Sequence, residues 1–244
     1  MKPYYLTLII LSVTILNSCV TTKQLTSESE FLVGSYTFDN SSTQDLSRYG
    51  IEAELTEIEF VEDRFGNSNS AVKFNGASSK IECSDDNRNI KNSMTVMAWI
   101  KSETGDLPAV VAKYDWHEDN GYALRLREKG EAAMEGRDGN DKYQQSGHKG
   151  SLYDNNWHHI VGVVNNNEWK IYVDGELISS SVNENHTIDV SNTSTLTIGA
   201  FPVPNGKGNY RNFNGIIDEV LIYNTALNNK QIKSIYTTSK EKSL

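Results

Sequence analysis

The chain has 244 residues, two cysteines, and 32 acidic against 23 basic side chains, a formal net charge of −9. That acidity argues against a nucleic-acid ligand, because phosphate binding needs clustered lysine and arginine. The length suits one large all-β domain or two small ones.

Residues 1–18 have the layout of a secretory signal. Lys2 is followed by an apolar run from Tyr4 to Leu16, too short to span a bilayer as a stable helix. The run ends in Leu16-Asn17-Ser18-Cys19, which resembles a bacterial lipobox, in which the cysteine becomes the lipidated N-terminus. The alternative is an ordinary cleaved signal with an incidental cysteine. The lipobox reading places the protein at the bacterial cell envelope, secreted and attached to a membrane through its N-terminal lipid alone. Residues 19–30, opening "CVTTKQLTSESE", are polar and aperiodic, as befits a flexible tether. Cys83 is then left without a disulfide partner, and its alternation with Ile81 in "SKIECS" reads as a small buried side chain.

From Phe31 to about residue 240 the texture is β. Short runs such as "FLVGSYTF", "SAVKFN", "SKIECS", "MTVMAWIK", "AVVAKY", "YALRLR", "STLTIGAF" and "GIIDEVLIY" recur between clusters of Gly, Asn, Asp and Ser. This spacing predicts one antiparallel sandwich or jelly roll over 31–240 rather than alternating βαβ units. The acidic "IEAELTEIE" reads as the solvated face of a strand pair.

The stretch "NWHHIVGVVNNNEWKIYVDGE" raises the question of a site, with adjacent His158 and His159. Read with period two, Trp157, His159, Val161 and Val163 share one face and His158, Ile160, Gly162 and Val164 the other. The two histidines therefore cannot chelate one metal from a regular strand. The stretch predicts a β-meander with a tight Asp-Gly turn at Asp174-Gly175, and Trp157 and His159 as core residues. One helix closes the chain. "LNNKQIKSIYTT" puts Ile232, Ile235 and Tyr236 on one face, with Asn228 as N-cap and Gln231 completing a capping box.

Five motifs in order resemble the laminin-G-like, concanavalin A-like lectin/glucanase jelly rolls: "GSYTFDN", "NSAVKFNGASSKIEC", "MTVMAWIK", "WHHIVGVV…EWKIYVDGE" and "FNGIIDEVLIYNTALNNKQI". The resemblance covers about 34–237. It implies an all-β, two-sheet antiparallel jelly-roll sandwich, about six strands per sheet, with one concave face and a short C-terminal helix.

Members of this superfamily include glycosidases, lectins and adhesive modules, so the site must decide function. Laminarinase-like relatives carry Glu-x-Asp-x-x-Glu, and neither Asp218-Glu219 nor "IEAELTEIE" supplies it. No nucleophile or Walker motif is present either. By alternation Asp218 shares a face with Ile216, Val220 and Ile222 and points inward, where a carboxylate needs a cationic partner. The resemblance makes it plausible that Asp218 and Asp39 share one structural Ca²⁺; Asp39 stabilising its own turn and Asp218 pairing with Arg or Lys are the alternatives. For a sugar ligand, the aromatic and polar candidates are Tyr114, Trp116, His117, Arg137, Tyr143, Tyr210 and Arg211. The expected function is non-catalytic carbohydrate binding or adhesion. A protein-interaction subunit docking a cell-envelope protein and a glycoside hydrolase on the same fold are the rivals.

Overall fold

The computed structural model describes residues 30–83, 88, 90–115, 117–140, 142–147, 149–203 and 210–241. Cys19, the signal and nearly all of the tether lie outside them, as does Trp116; of Tyr210 only the backbone is described. Leu32–Leu244 forms one unit.

In chain order the strands are β1 Leu32–Tyr36, β2 Ala53–Thr56, β3 Glu59–Val61, β4 Ala71–Asn75, β5 Lys80–Cys83, β6 Ser93–Ser102, β7 Ala109–Asp115 and β8 Asn120–Leu126. They continue with β9 Ala132–Asp138, β10 Tyr143–Gly147, β11 Trp157–Asn165, β12 Glu168–Val173, β13 Glu176–Val182, β14 Leu196–Ile198, β15 Ala200–Pro202, β16 Tyr210–Asn212 and β17 Asn214–Tyr223. Helix α1 is Asn229–Lys240. One sheet runs β13-β12-β11-β6-β17-β4-β3, with β1 also paired to β17; the other runs β10-β9-β8-β7-β14-β5-β2, and β15-β16 form a separate ribbon. The fold is the antiparallel two-sheet sandwich that the resemblance implies, with eight and seven strands among the described residues where about six per sheet are expected.

The additional strands are short or weakly patterned. "IEAELTEIE" is not a strand pair: β2 joins β5 in one sheet and β3 joins β4 in the other. Its Glu52, Glu54, Glu57 and Glu59 are all exposed. β9, "AAMEGRD", is weakly patterned, because Ala, Gly, Asp and Glu disfavour strands. Burial of Ala132 and Met134, together with pairing to β8 on one side and β10 on the other, makes a strand of β9.

The core lies between the sheets. Ile160 and Val164 of β11 and Ile171 of β12 meet Leu124 of β8 and Met134 of β9 there. At Gly162 a Cβ would come within 2.5 Å of the Met134 sulfur, so the sheets approach too closely for any side chain. The other face of the eight-stranded sheet is covered by α1, which packs Ile232 onto Met97, Val161, Val163, Tyr172 and Leu227. α1 starts as its sequence dictates. Asn228 Oδ1 accepts from the amides of Lys230 (3.0 Å) and Gln231 (3.1 Å), and Gln231 Oε1 accepts from the Asn228 amide (2.9 Å).

The meander β11-β12-β13 holds the faces expected of it. The turn between β12 and β13 has positive φ at both Asp174 (51°) and Gly175 (75°), the I′ geometry that Asp-Gly favours. His159 is buried, whereas Trp157 is only half-buried and is not a core residue, because it opens the strand at its exposed end.

Candidate functional site

The outer face of β7–β10 carries a concentration of polar and aromatic side chains. Strand register sets it out in rows. Tyr114, Gly121, Arg137 and Tyr143 lie in line across β7, β8, β9 and β10; Ala112, Ala123, Glu135 and Gln145 form the next line. Small residues thus occupy the middle and long ones the margin, which leaves a depression. Phe201 of β15 and its strand partner Arg211 of β16 wall one side. The result is a cavity of about 360 Å³ lined by Tyr114, Ala123, Arg125, Glu135, Phe201 and Arg211 among others, within the size range of small-molecule sites.

The lining is held by its own hydrogen bonds. Arg125 Nη1 donates to Glu135 Oε1 at 2.7 Å and its guanidinium lies 4.4 Å from the Phe201 ring centroid. Tyr143 donates to Glu135 Oε2 (3.1 Å) and Gln145 Oε1 (2.7 Å), and Arg137 sits 5.2 Å from the Tyr143 ring. Arg127 donates to Gln145. At the rim Asp119 accepts from Arg137 (3.0 Å) and from the Tyr114 hydroxyl. Burial raises the phenols of both Tyr114 and Tyr143 above the ordinary range; the bond to Asp119 reinforces the first and the charge of Glu135 the second. Both remain neutral donors at physiological pH. Tyr114 and Phe201 pack with ring centroids 5.4 Å apart, an aromatic wall beside the arginines.

Of the residues expected from sequence, Tyr114, Arg137, Tyr143 and Arg211 line this one cavity. His117 is exposed on the β7–β8 loop, its amide bonded to Asp115, and does not line it. Arg125, Arg127, Glu135 and Phe201 were missed. Period two was the signal: in "YALRLRE" Ala123, Arg125 and Arg127 fall on one face, opposite Tyr122, Leu124 and Leu126.

The second expectation concerned Asp39 and Asp218. Both line a small cavity of about 120 Å³, with Asp63, Arg64 and Glu219. Asp218 does not face the inter-sheet core with Val220 and Ile222. A bulge between Asp218 and Leu221, with Glu219 at φ 48°, shifts the alternation by one residue. Asp218 instead faces outward, in line with Trp99 and His159 across β17, β6 and β11. Arg64 bonds both Asp218 and Glu219, donates to the Ser239 carbonyl at 3.0 Å, and lies 4.8 Å from the Trp99 ring centroid. Burial raises the Asp218 carboxyl to about 7 against the pull of Arg64. The carboxylates of Asp218 and Glu219 thus both accept from one guanidinium, the pairing of Asp218 with an arginine that the sequence offered as the alternative to calcium. Among the described residues no three potential ligands are gathered for a metal. Asp39 is exposed in the turn Asp39–Ser41, where its carbonyl accepts from the Ser42 amide at 3.1 Å.

Solved structures share this fold. The crystal structure of the binding domain of Paraclostridial Mosquitocidal Protein 1 aligns with a TM-score of 0.71 at 22% identity, over 87% of this chain and 53% of that one. The botulinum neurotoxin serotype D ligand binding domain, in complex with N-acetylneuraminic acid, gives 0.69 at 18%, over 91% and 54%. Domain 4 of AbnA, a GH43 extracellular arabinanase from Geobacillus stearothermophilus in complex with arabinotriose, gives 0.66 at 20%, over 84% and 98%. This chain therefore spans about half the length of the toxin domains and nearly the whole of the arabinanase domain. No curated protein sequence matches it. Residues 75–233 match the Laminin_G_3 family model, and the chain belongs to the concanavalin A-like lectin/glucanases superfamily.

Proposed function

We propose that this chain is a non-catalytic carbohydrate-binding module whose site is the cavity on β7–β10. The observation that carries the reading is the pairing of the exposed Tyr143 ring at the cavity margin, backed by buried Tyr114 and Phe201, with a fixed ring of donors and acceptors around a floor of small residues. A sugar ring offers an apolar face to the first and hydroxyls to the second. Two fold neighbours are described in complex with sugars, N-acetylneuraminic acid and arabinotriose. Glu135 is the one carboxylate among the described lining residues, and it is bonded to Arg125 and Tyr143, whereas a retaining glycosidase needs two carboxylates about 5–5.5 Å apart. The lipobox-like Leu16–Cys19 adds the location: a lipoprotein that presents this module at the cell envelope.

Affinity electrophoresis of the purified protein through gels containing a panel of polysaccharides tests the reading. Retardation by at least one polysaccharide is expected. A folded protein retarded by none of them would sink it.

A further inference from the structure

We infer that the sugar taken by this cavity carries an anionic substituent, a carboxylate or a sulfate, received by Arg127 and Arg211. The inference rests on the carbohydrate reading and adds the class of sugar to it.

The argument is one of unmatched charge. Arg125, Arg127, Arg137 and Arg211 all line the cavity, against one lining carboxylate among the described residues, Glu135. Two of the four have acidic partners: Arg125 has Glu135 at 2.7 Å and Arg137 has Asp119 at 3.0 Å. Arg127 bonds Gln145, a neutral amide. Arg211 makes no hydrogen bond or ion pair among the described residues. Among the described residues, two positive charges are therefore left without an acidic partner at one cavity, in a chain whose net charge is −9. Gathering like charges costs free energy unless a ligand of opposite sign repays it.

A second observation is independent of the charge count. The Arg125 side chain is 6% exposed, and its Nε finds no hydrogen-bond partner among the described residues. A buried donor left unused is uncommon and calls for an explanation, of which an absent acceptor is one. Planar guanidinium forks match a carboxylate in two parallel bonds and accept a sulfate by the same donors. Hydroxyls of a neutral sugar, which donate as well as accept, would leave the excess charge in place.

A glycan array presenting neutral, uronate-bearing, sialate-bearing and sulfated glycans to the full-length chain in mild detergent tests this. Calorimetry of the retained glycans against their methyl-esterified or desulfated counterparts then isolates the charge. The expected result is at least tenfold tighter binding of the acidic form, with the preference lost in Arg127→Gln and Arg211→Gln. Whether the preferred group is carboxylate or sulfate follows from the paired arms. Equal binding of neutral counterparts, or a preference that survives both substitutions, overturns the inference and leaves the carbohydrate reading standing. Retention of no glycan at all by a chain whose circular dichroism is that of a β protein overturns both.

Discussion

His158 and His159 are neighbours in the chain with rings on opposite faces of β11 and opposite electrostatics. His158 Nδ1 lies 2.9 Å from Asp174 Oδ2, and its Nε2 lies 3.2 Å from Asp154. His159 is buried under α1, between Trp99 (5.1 Å between centroids) and Tyr236 (5.8 Å), with no partner for its Nδ1 among the described residues.

The hydrogen bond to Asp174 holds the His158 pKa above its usual value despite partial burial; burial drives that of His159 down to about 3. The two act oppositely on stability. The raised group stabilises the fold below the unfolded histidine pKa and loses its contribution as pH rises through the folded value. The depressed group stabilises at neutral pH, and that contribution is lost as pH falls from about 6.5 towards about 3. At pH 5 the loss from His159 is about 2 kcal/mol. Urea midpoints at pH 7.5 and pH 5 should therefore show a smaller acid loss in His159→Phe than in wild type, and a larger one in His158→Gln. Unchanged acid sensitivity in both variants would contradict these environments.

Tyr143 stands at the cavity margin, 38% exposed, where a bound ring can reach it. Replacing it removes an aromatic face and the donor to Glu135 and Gln145 but no core packing. Tyr143→Ala should weaken polysaccharide binding about tenfold, some 1.4 kcal/mol, and leave the melting temperature nearly unchanged. Intact affinity in calorimetry would place the ligand elsewhere.

Arg64 ties together Asp218, Glu219 and the end of α1 through Ser239. Its loss leaves a buried carboxylate unpaired, so Arg64→Ala should cost about 3–5 kcal/mol in chemical denaturation. With the guanidinium gone, Asp218 keeps its burial and loses its cationic partner. Millimolar calcium should then raise the melting temperature of the variant more than that of wild type. An equal effect on both would show that Arg64 does not occupy the cation's place.

The proposed anchor has a direct assay. Wild-type cells fed an alkyne-bearing fatty acid should yield labelled protein in the membrane fraction, and Cys19→Ala should abolish both the label and the membrane association. Labelling that persists in the variant would remove Cys19 from the proposal.

The sequence by itself determined the sandwich, the meander and the closing helix, because alternation, the Asp174-Gly175 turn and the Asn228 cap act over a few residues. It also pointed to Tyr114, Arg137, Tyr143 and Arg211, though not as one site. Only the tertiary structure brought them together, since four strands and the β15–β16 ribbon meet at the cavity through register that no local pattern fixes. β9 shows the limit most clearly: its composition disfavours a strand, and pairing on both edges overrides it. Asp218 is the other case. One bulged residue, Glu219, reverses the face on which the carboxylate lies and gives it to Arg64, 154 residues away. Period two holds only where the ladder is unbroken, and a bulge is decided by what the neighbouring strands can pair with.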